Sequence, residues 1–405
     1  MSTNYNISPY AFISFLDVFR MKIGIVVRLL HPAGAQKTAI IEAEYLAKIG
    51  HEVIVFFIRK PNNFSYYYED LLININYKIL NYENPSIKRY LYDFITGLYM
   101  KDRKGELRVD LNLLKTFYND IKSEKLDYLI CHDQYAGIAG FYAYKKLGIP
   151  YSIVVHEKIP NYSKLFIGPL ISIELSKVFL NSRYIFSISD KISQTIVNFD
   201  NRFSNKIVFN IQGMNYPSIS YNYKQKRDEI VSVSMWDSGR KPLLYLNIAK
   251  ALPEKKFIMI GSWRELQMKD KFLIKMHDDK INNVFLEEGI SEVDLKERIA
   301  RAKYLLRFGY GEYGVAQAVL ESIQSLTPVI INSELGTAQI IKEKGGGLVE
   351  DDLRKIPNII RSMESETSYD LLQESLKKIR EKYTWESHVK KLLCGNSPQP
   401  DNLPA

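Results

Sequence analysis

Short runs of β-branched and aromatic residues alternate along this chain with stretches of helical periodicity. Residues 23–27 form a brief apolar run whose length and branching predict a buried strand. Apolar positions recur at helical spacing over 36–49, and Gly50 suits a helix stop. Further strands are predicted at 52–58, 128–130, 151–155 and 184–187, with a helix over 137–146 among them. Strands without polar alternation, separated by helices, predict a parallel sheet covered on both faces. After a strand at 207–209, a turn at 213–217 and a polar linker at 224–228, the pattern restarts. Its second series has strands at 230–233, 256–260, 283–285, 304–306 and 328–331, with helices such as 293–301 and 315–325 between them. The last helices are expected over 368–393. The Pro/Asn/Gly-rich tail from Cys394 is expected to be disordered.

Length and composition narrow the class. A chain of 405 residues is longer than one hydrophobic core supports, so two α/β halves facing across a cleft are expected. The division is an extension at 1–20, a first domain at 21–215 and a second at 216–375. A helix at 376–393 is expected to pack back towards the first domain, before the tail at 394–405. Hydrophobic residues at 46% and charged residues at 25% exclude a largely disordered chain and a coiled-coil rod. Two cysteines, Cys131 and Cys394, exclude a disulfide framework and a four-cysteine zinc site. The most apolar stretch, 165–180, is interrupted by Pro169, Glu174 and Lys177, so no membrane-spanning helix is expected. The chain start lacks a basic n-region and a cleavage site, and a cytoplasmic protein is expected. Met21 stands directly before the first strand and reads as the start of the folded part.

The net charge of +9 suits an anionic ligand or an anionic membrane surface. Nucleic-acid binding rests on the charge alone, because no recognition motif accompanies it, and it is not expected. Residues 88–99 mix basic, aromatic and apolar positions. They would serve either as an amphipathic helix buried on the first sheet or as a peripheral contact with the inner face of a membrane.

Ligands of open α/β sheets bind at the carboxyl ends of strands, near helix N-termini. Four loops fit that rule. The first, 31–37, carries Gly34, which lets the backbone approach a ligand, but it is neither a dinucleotide fingerprint nor a P-loop. The second holds His156 at a strand end, with His132 similarly placed one strand earlier and read as structural. The third is 235–241, where Gly239, Arg240 and Lys241 could hold a diphosphate. The fourth, 309–321, is glycine-rich, carries Glu312 and leads into a helix bearing Glu321. A carboxylate there can accept both hydroxyls of a ribose while the helix N-terminus takes phosphates. The six histidines show no ligand spacing with cysteines or carboxylates, so neither a metal nor another cofactor is expected.

These blocks resemble the retaining glycosyltransferases of family 4, which have the GT-B fold of two Rossmann-like domains. The resemblance rests on 21–27 with the Gly34 loop, 46–53, 147–156, 186–189, 284–289 with Asp294 and Leu295, Glu321 with 327–331, and 383–386. Their order over 21–393 is what makes the resemblance specific. It implies a nucleotide-sugar in the second domain and an acceptor, a glycan or lipid-linked glycan, in the first. Glu321 would bind the ribose. Lys241 and the amides around Gln317 and Ala318 would hold the diphosphate, with Gly34 and Gly314 close by. His156, Glu312 and Lys241 would be the catalytic set, and Arg240 would assist donor binding.

Some positions depart from the family pattern. Eight residues before Glu321, where the family places a second glutamate, stands Tyr313; Glu312 is one residue further away. Either Glu312 serves through a one-residue shift in the loop, which is preferred, or Tyr313 replaces it. The position of the family's diphosphate arginine is occupied by Trp236. These departures define the alternative, an inactive GT-B protein that binds a nucleotide or glycan.

Overall fold

A computed structural model describes residues 20–30, 34–60, 72–80, 99–101, 108–160, 168–215 and 218–395. The extension before Arg20, segment 88–98 and the tail after Gly395 lie outside the described residues.

Two parallel sheets organise the chain. The first contains β1 (Lys22–Leu29), β2 (Glu52–Arg59), β3 (Asn76–Ile79), β4 (Tyr128–His132), β5 (Tyr151–Val155), β6 (Ile185–Ser187) and β7 (Ile207–Phe209), in the order β3-β2-β1-β4-β5-β6-β7. The second contains β8 (Arg227–Val233), β9 (Lys256–Ile260), β10 (Val284–Glu287), β11 (Ala302–Arg307), β12 (Val329–Ile331) and β13 (Gly347–Val349), in the order β10-β9-β8-β11-β12-β13. In both, the order reverses beside the first strand. Neighbouring strands there leave in opposite directions, which opens a crevice at their carboxyl ends. A separate antiparallel ribbon pairs Tyr99–Lys101 with Arg108–Asp110.

The helices that frame the crevices are α1 (Gly34–Lys48), α2 (Ala136–Leu147), α3 (Gly168–Asn181), α4 (Asp190–Phe199), α5 (Leu243–Lys250), α6 (Leu266–Asp278), α7 (Glu292–Arg301), α8 (Gln317–Gln324), α9 (Ala338–Lys344) and α10 (Ile356–Ser362). They cover both faces of each sheet, which is why strands such as β1 and β2 carry almost no exposed residue. No described helix is long and apolar enough to cross a membrane.

The chain passes between the lobes twice. α11 (Glu366–Lys382) packs Leu376 and Ile379 into the second core, while α12 (Trp385–Cys394) packs Trp385, Val389 and Leu392 into the first. The crossing therefore falls at Tyr383–Thr384 and not at 376. The reason is a break in the helix: Thr384 leaves helical geometry and caps α12, accepting from the Ser387 amide. Trp385 lies at the connection between lobes, where Gly213 leaves room for it; a Cβ at Gly213 would collide with both the indole and the Trp385 backbone. The two crossings are tied together by Met214 N donating to Tyr383 O at 2.6 Å and Trp385 N donating to Asn215 Oδ1 at 2.7 Å.

Candidate active site

The loops after β8 and β11 flank the switch point of the second sheet, α1 follows β1 at that of the first, and His156 follows β5, one strand beyond β4; the fold turns them towards one another. α1 begins at Gly34 directly after β1. A side chain added at Gly34 would lie 3.7 Å from Gln317, the first residue of α8 in the opposite lobe. Three residues on, the Lys37 side chain leaves the first lobe and donates at 2.6 Å to both Glu321 on α8 and Glu292 on α7. Glu321 is buried and faces the seam between the lobes. Two carboxylates taken out of water in one place need such a cation, since unpaired buried charge is costly.

The N-cap position before α8 is Ala316, which offers no capping side chain. The amides of Gln317 and Ala318 are thus unused by any cap, at the helix end that carries positive partial charge. Ahead of it, loop 309–316 is held from both sides. Asn332 exchanges two hydrogen bonds with the backbone of Gly309, at 2.9 and 2.7 Å. From the first lobe, Ser189 Oγ donates to Tyr313 O at 2.6 Å. Gly314 lies against the backbone carbonyl of His156, so closely that a Cβ there would stand 2.5 Å from that oxygen. Any other residue at 314 would push the lobes apart.

The cationic side of the seam comes from β8 and β11. Asp237 caps the turn after β8, accepting from Arg240 N at 3.0 Å. Lys241 follows in left-handed geometry, with φ of 48°, and its ammonium sits 3.8 Å from the centre of the Tyr310 ring. The Glu312 carboxylate pairs with the guanidinium groups of Arg240 and Arg307, the latter at 2.7 Å. Tyr313 turns to the first lobe instead, packing on its core, with the Lys158 and Lys191 ammonium groups 5.6 and 5.7 Å from its ring centre.

Trp236 takes no part in this site. Its indole is fully buried against Tyr245 and Trp263, and Nε1 donates to Ile260 O at 3.1 Å. Arg307, at the end of β11, stands on the site-facing side beside Arg240 and was not anticipated from the sequence. Lys37, Glu292, Glu42 and His388 were also missed. A signal for Glu42 existed: it sits among Thr38, Ala39, Tyr45 and Leu46, the positions one helical turn away, all of them buried. A carboxylate on that face demands a buried partner.

His156 follows β5 and is buried; burial above all, reinforced by His132, holds its imidazole down at about 3, with Glu42 opposing. Its Nε2 lies 2.8 Å from His132 Nδ1. Among the described residues, no three His, Cys, Asp or Glu side chains converge as metal ligands would.

This architecture is the GT-B fold. Residues 319–395 match the family model described as the C-terminal domain of glucosyltransferase 3-like proteins, which covers a minority of the chain. Among solved structures, the chain resembles HepE from Anabaena, crystallised with UDP and glucose, at a TM-score of 0.69 and 12% identity over 92% of this chain and 98% of that one. It also resembles a mutant of TarM from Staphylococcus aureus in complex with fondaparinux, α-GlcNAc-glycerol and UDP (TM-score 0.64, 12% identity, 92% and 99% covered). A third is a UDP-forming trehalose-phosphate synthase from Burkholderia xenovorans (TM-score 0.67, 12% identity, 92% and 98% covered). No curated protein matches by sequence.

Proposed function

We propose that this protein is a retaining glycosyltransferase related to family 4, which moves a sugar from a nucleotide diphosphate sugar to an acceptor hydroxyl of a glycan or lipid-linked glycan. The observation that carries this reading is Glu321: a buried carboxylate on the helix after the glycine-rich loop, aimed into the seam and met there by Lys37 of the opposite lobe. A carboxylate in that place can accept both hydroxyls of a ribose. The uncapped amides of α8, with Lys241 and Arg240, supply positive charge where a diphosphate would gain negative charge as it leaves. The UDP in the HepE and TarM structures supports a nucleotide as the ligand of such a seam.

In this reading His156 meets the transferred sugar and Glu312, oriented by its two arginines, lines the same space. The acceptor enters from the first lobe and attacks on the face the diphosphate leaves, without a protein nucleophile. Approach of the lobes excludes water and aligns the reactants.

The test is a thermal-shift screen over UDP-, GDP- and ADP-sugars, followed by a transfer assay with the one that binds. A true donor at a hundred times its Kd should stabilise the fold by about 2.7 kcal/mol. Glu321→Ala should weaken donor binding roughly tenfold to a hundredfold, because hydrogen bonds to a charged group are lost. Nucleotide binding without transfer would leave a binding protein and remove the enzymatic reading. No response to any nucleotide sugar would remove both.

A further inference from the structure

Behind His156, four hydrogen bonds form one buried line. Ile211 O meets His388 Nδ1 at 2.9 Å, and His388 Nε2 meets Glu42 Oε1 at 2.8 Å. Glu42 Oε2 meets His132 Nε2 at 2.8 Å, and His132 Nδ1 meets His156 Nε2 at 2.8 Å. The line starts at the connection between the lobes, passes α12, α1 and the end of β4, and ends at the loop after β5, where the His156 backbone touches Gly314 of the second lobe. Glu42, His132 and His388 are all buried.

The protons of this line can be counted. Carbonyl and carboxylate oxygens only accept, and each of the four bonds needs one proton. Three neutral imidazoles bring three, so the line closes with one more. Ile211 O takes Nδ1–H of His388, which leaves the added proton at the His388–Glu42 contact, an imidazolium against a carboxylate. His132 then donates from Nε2 to Glu42 and accepts at Nδ1. His156 is left to donate from Nε2, and its Nδ1 carries no proton. The opposite direction needs a fifth proton, either on Glu42 beside the His388 imidazolium or on His132 as a second imidazolium, and both leave the buried line with a net positive charge, which burial disfavours. Burial resists an ionised Glu42, yet His132 and His388 together outweigh it and hold the carboxyl down at about 2. Among the described residues, Nδ1 of His156 has no hydrogen-bond partner, and it is not among the polar atoms that the fold seals away unpaired.

We propose that Glu42, His132 and His388 are positioning residues that fix His156 as its Nε2–H tautomer, so that the atom it presents to the seam, Nδ1, is a hydrogen-bond acceptor for a sugar hydroxyl. A histidine without this line could present either a donor or an acceptor; this one presents an acceptor. The inference rests on the sugar-transfer reading for its effect on turnover.

The tautomer is tested directly by nitrogen-15 spectroscopy of the full-length protein, with single histidine substitutions to assign the resonances. The expected spectrum has His156 protonated at Nε2 and bare at Nδ1; a proton on Nδ1 overturns the proposal. Turnover is tested with two substitutions of His132. In His132→Asn the amide oxygen can stand where Nδ1 was and still accept from His156. In His132→Gln the amide can stand where Nε2 was and still serve Glu42, but His156 loses its partner. If the tautomer matters, kcat/KM for transfer falls about tenfold further in the Gln variant than in the Asn variant, the worth of one hydrogen bond. Binding of free nucleotide should be the same in both. Equal losses in the two variants overturn the proposal.

Glu42→Gln covers the case in which either His132 variant fails to fold. Its amide can donate to a neutral His388 and accept from His132, so His388 should become singly protonated while the His156 spectrum stays as in the parent. A changed His156 tautomer with the line otherwise intact overturns the count. A parent protein that transfers no sugar sinks the proposed function, and the spectrum still decides the tautomer.

Discussion

Lys37 shows what a single side chain does at the seam. It bridges Glu292 and Glu321 at 2.6 Å each, and the side chains of Lys37 and Glu321 are almost wholly out of water. Removing the cation leaves the buried Glu321 without its partner, while Glu292 keeps Lys296 at 3.1 Å. Lys37→Met should therefore destabilise the fold by about 3 kcal/mol, read as a lowered midpoint in urea. An unchanged midpoint would mean that Glu321 does not depend on Lys37 for its neutralisation. The sequence made Glu321 legible because a glycine-rich loop and a helix precede it. Lys37 was not legible as a partner for it, because the two lie in different lobes and nothing local links them. Glu312 was legible as a candidate, but its neutralisation by Arg240 and Arg307 depends on how β11 and the turn after β8 come together.

At the scale of elements, the strands buried on both faces were easy to read, since they have no polar alternation to confuse their limits, whereas the less buried edge strands β3 and β13 were not predicted. The last two helices were harder. Sequence periodicity runs nearly unbroken through 368–393, and only the capping geometry at Thr384 divides it. That division matters, because α12 carries His388 to the first lobe and α11 does not. Trp385 anchors α12, stacked on Tyr45 with ring centres 6.0 Å apart and buried in the first core. Trp385→Ala should cost about 3–5 kcal/mol, the range for emptying an aromatic site in a packed core. It should also raise amide exchange across α12 more than across α11. Equal exchange in both helices would show that α12 is held by its remaining contacts.

For the whole molecule, the GT-B architecture was visible in the order of the blocks, while the way the lobes face each other was not, because it depends on two crossings and a handful of cross-seam contacts. Those contacts and the buried line behind His156 give the protein a distinctive pH dependence. Burial above all holds His156 down to about 3 in the fold, against its ordinary 6.5. As pH falls below 6.5 the unfolded chain binds a proton there that the fold does not, so stability declines until about pH 3. Glu42, at about 2 against 4.5, adds a loss that begins below 4.5 and continues to about pH 2. Lys226 acts at the other end. Burial lowers it from 10.5 to about 7, and among the described residues only the Ala300 carbonyl and the Thr327 hydroxyl meet its ammonium, at 2.6 Å each. Between pH 7 and 10.5 the unfolded chain holds the proton that the folded lysine has lost, so stability rises with pH over that interval. All three groups tilt the profile the same way, and each unit of displacement is worth about 1.4 kcal/mol. Urea midpoints should climb from pH 4 to pH 6, where His156 and Glu42 act. Lys226→Met, which replaces the ammonium by an apolar end, should flatten the alkaline part alone. A variant whose profile above pH 7 runs parallel to the parent's would mean that Lys226 keeps its proton in the fold.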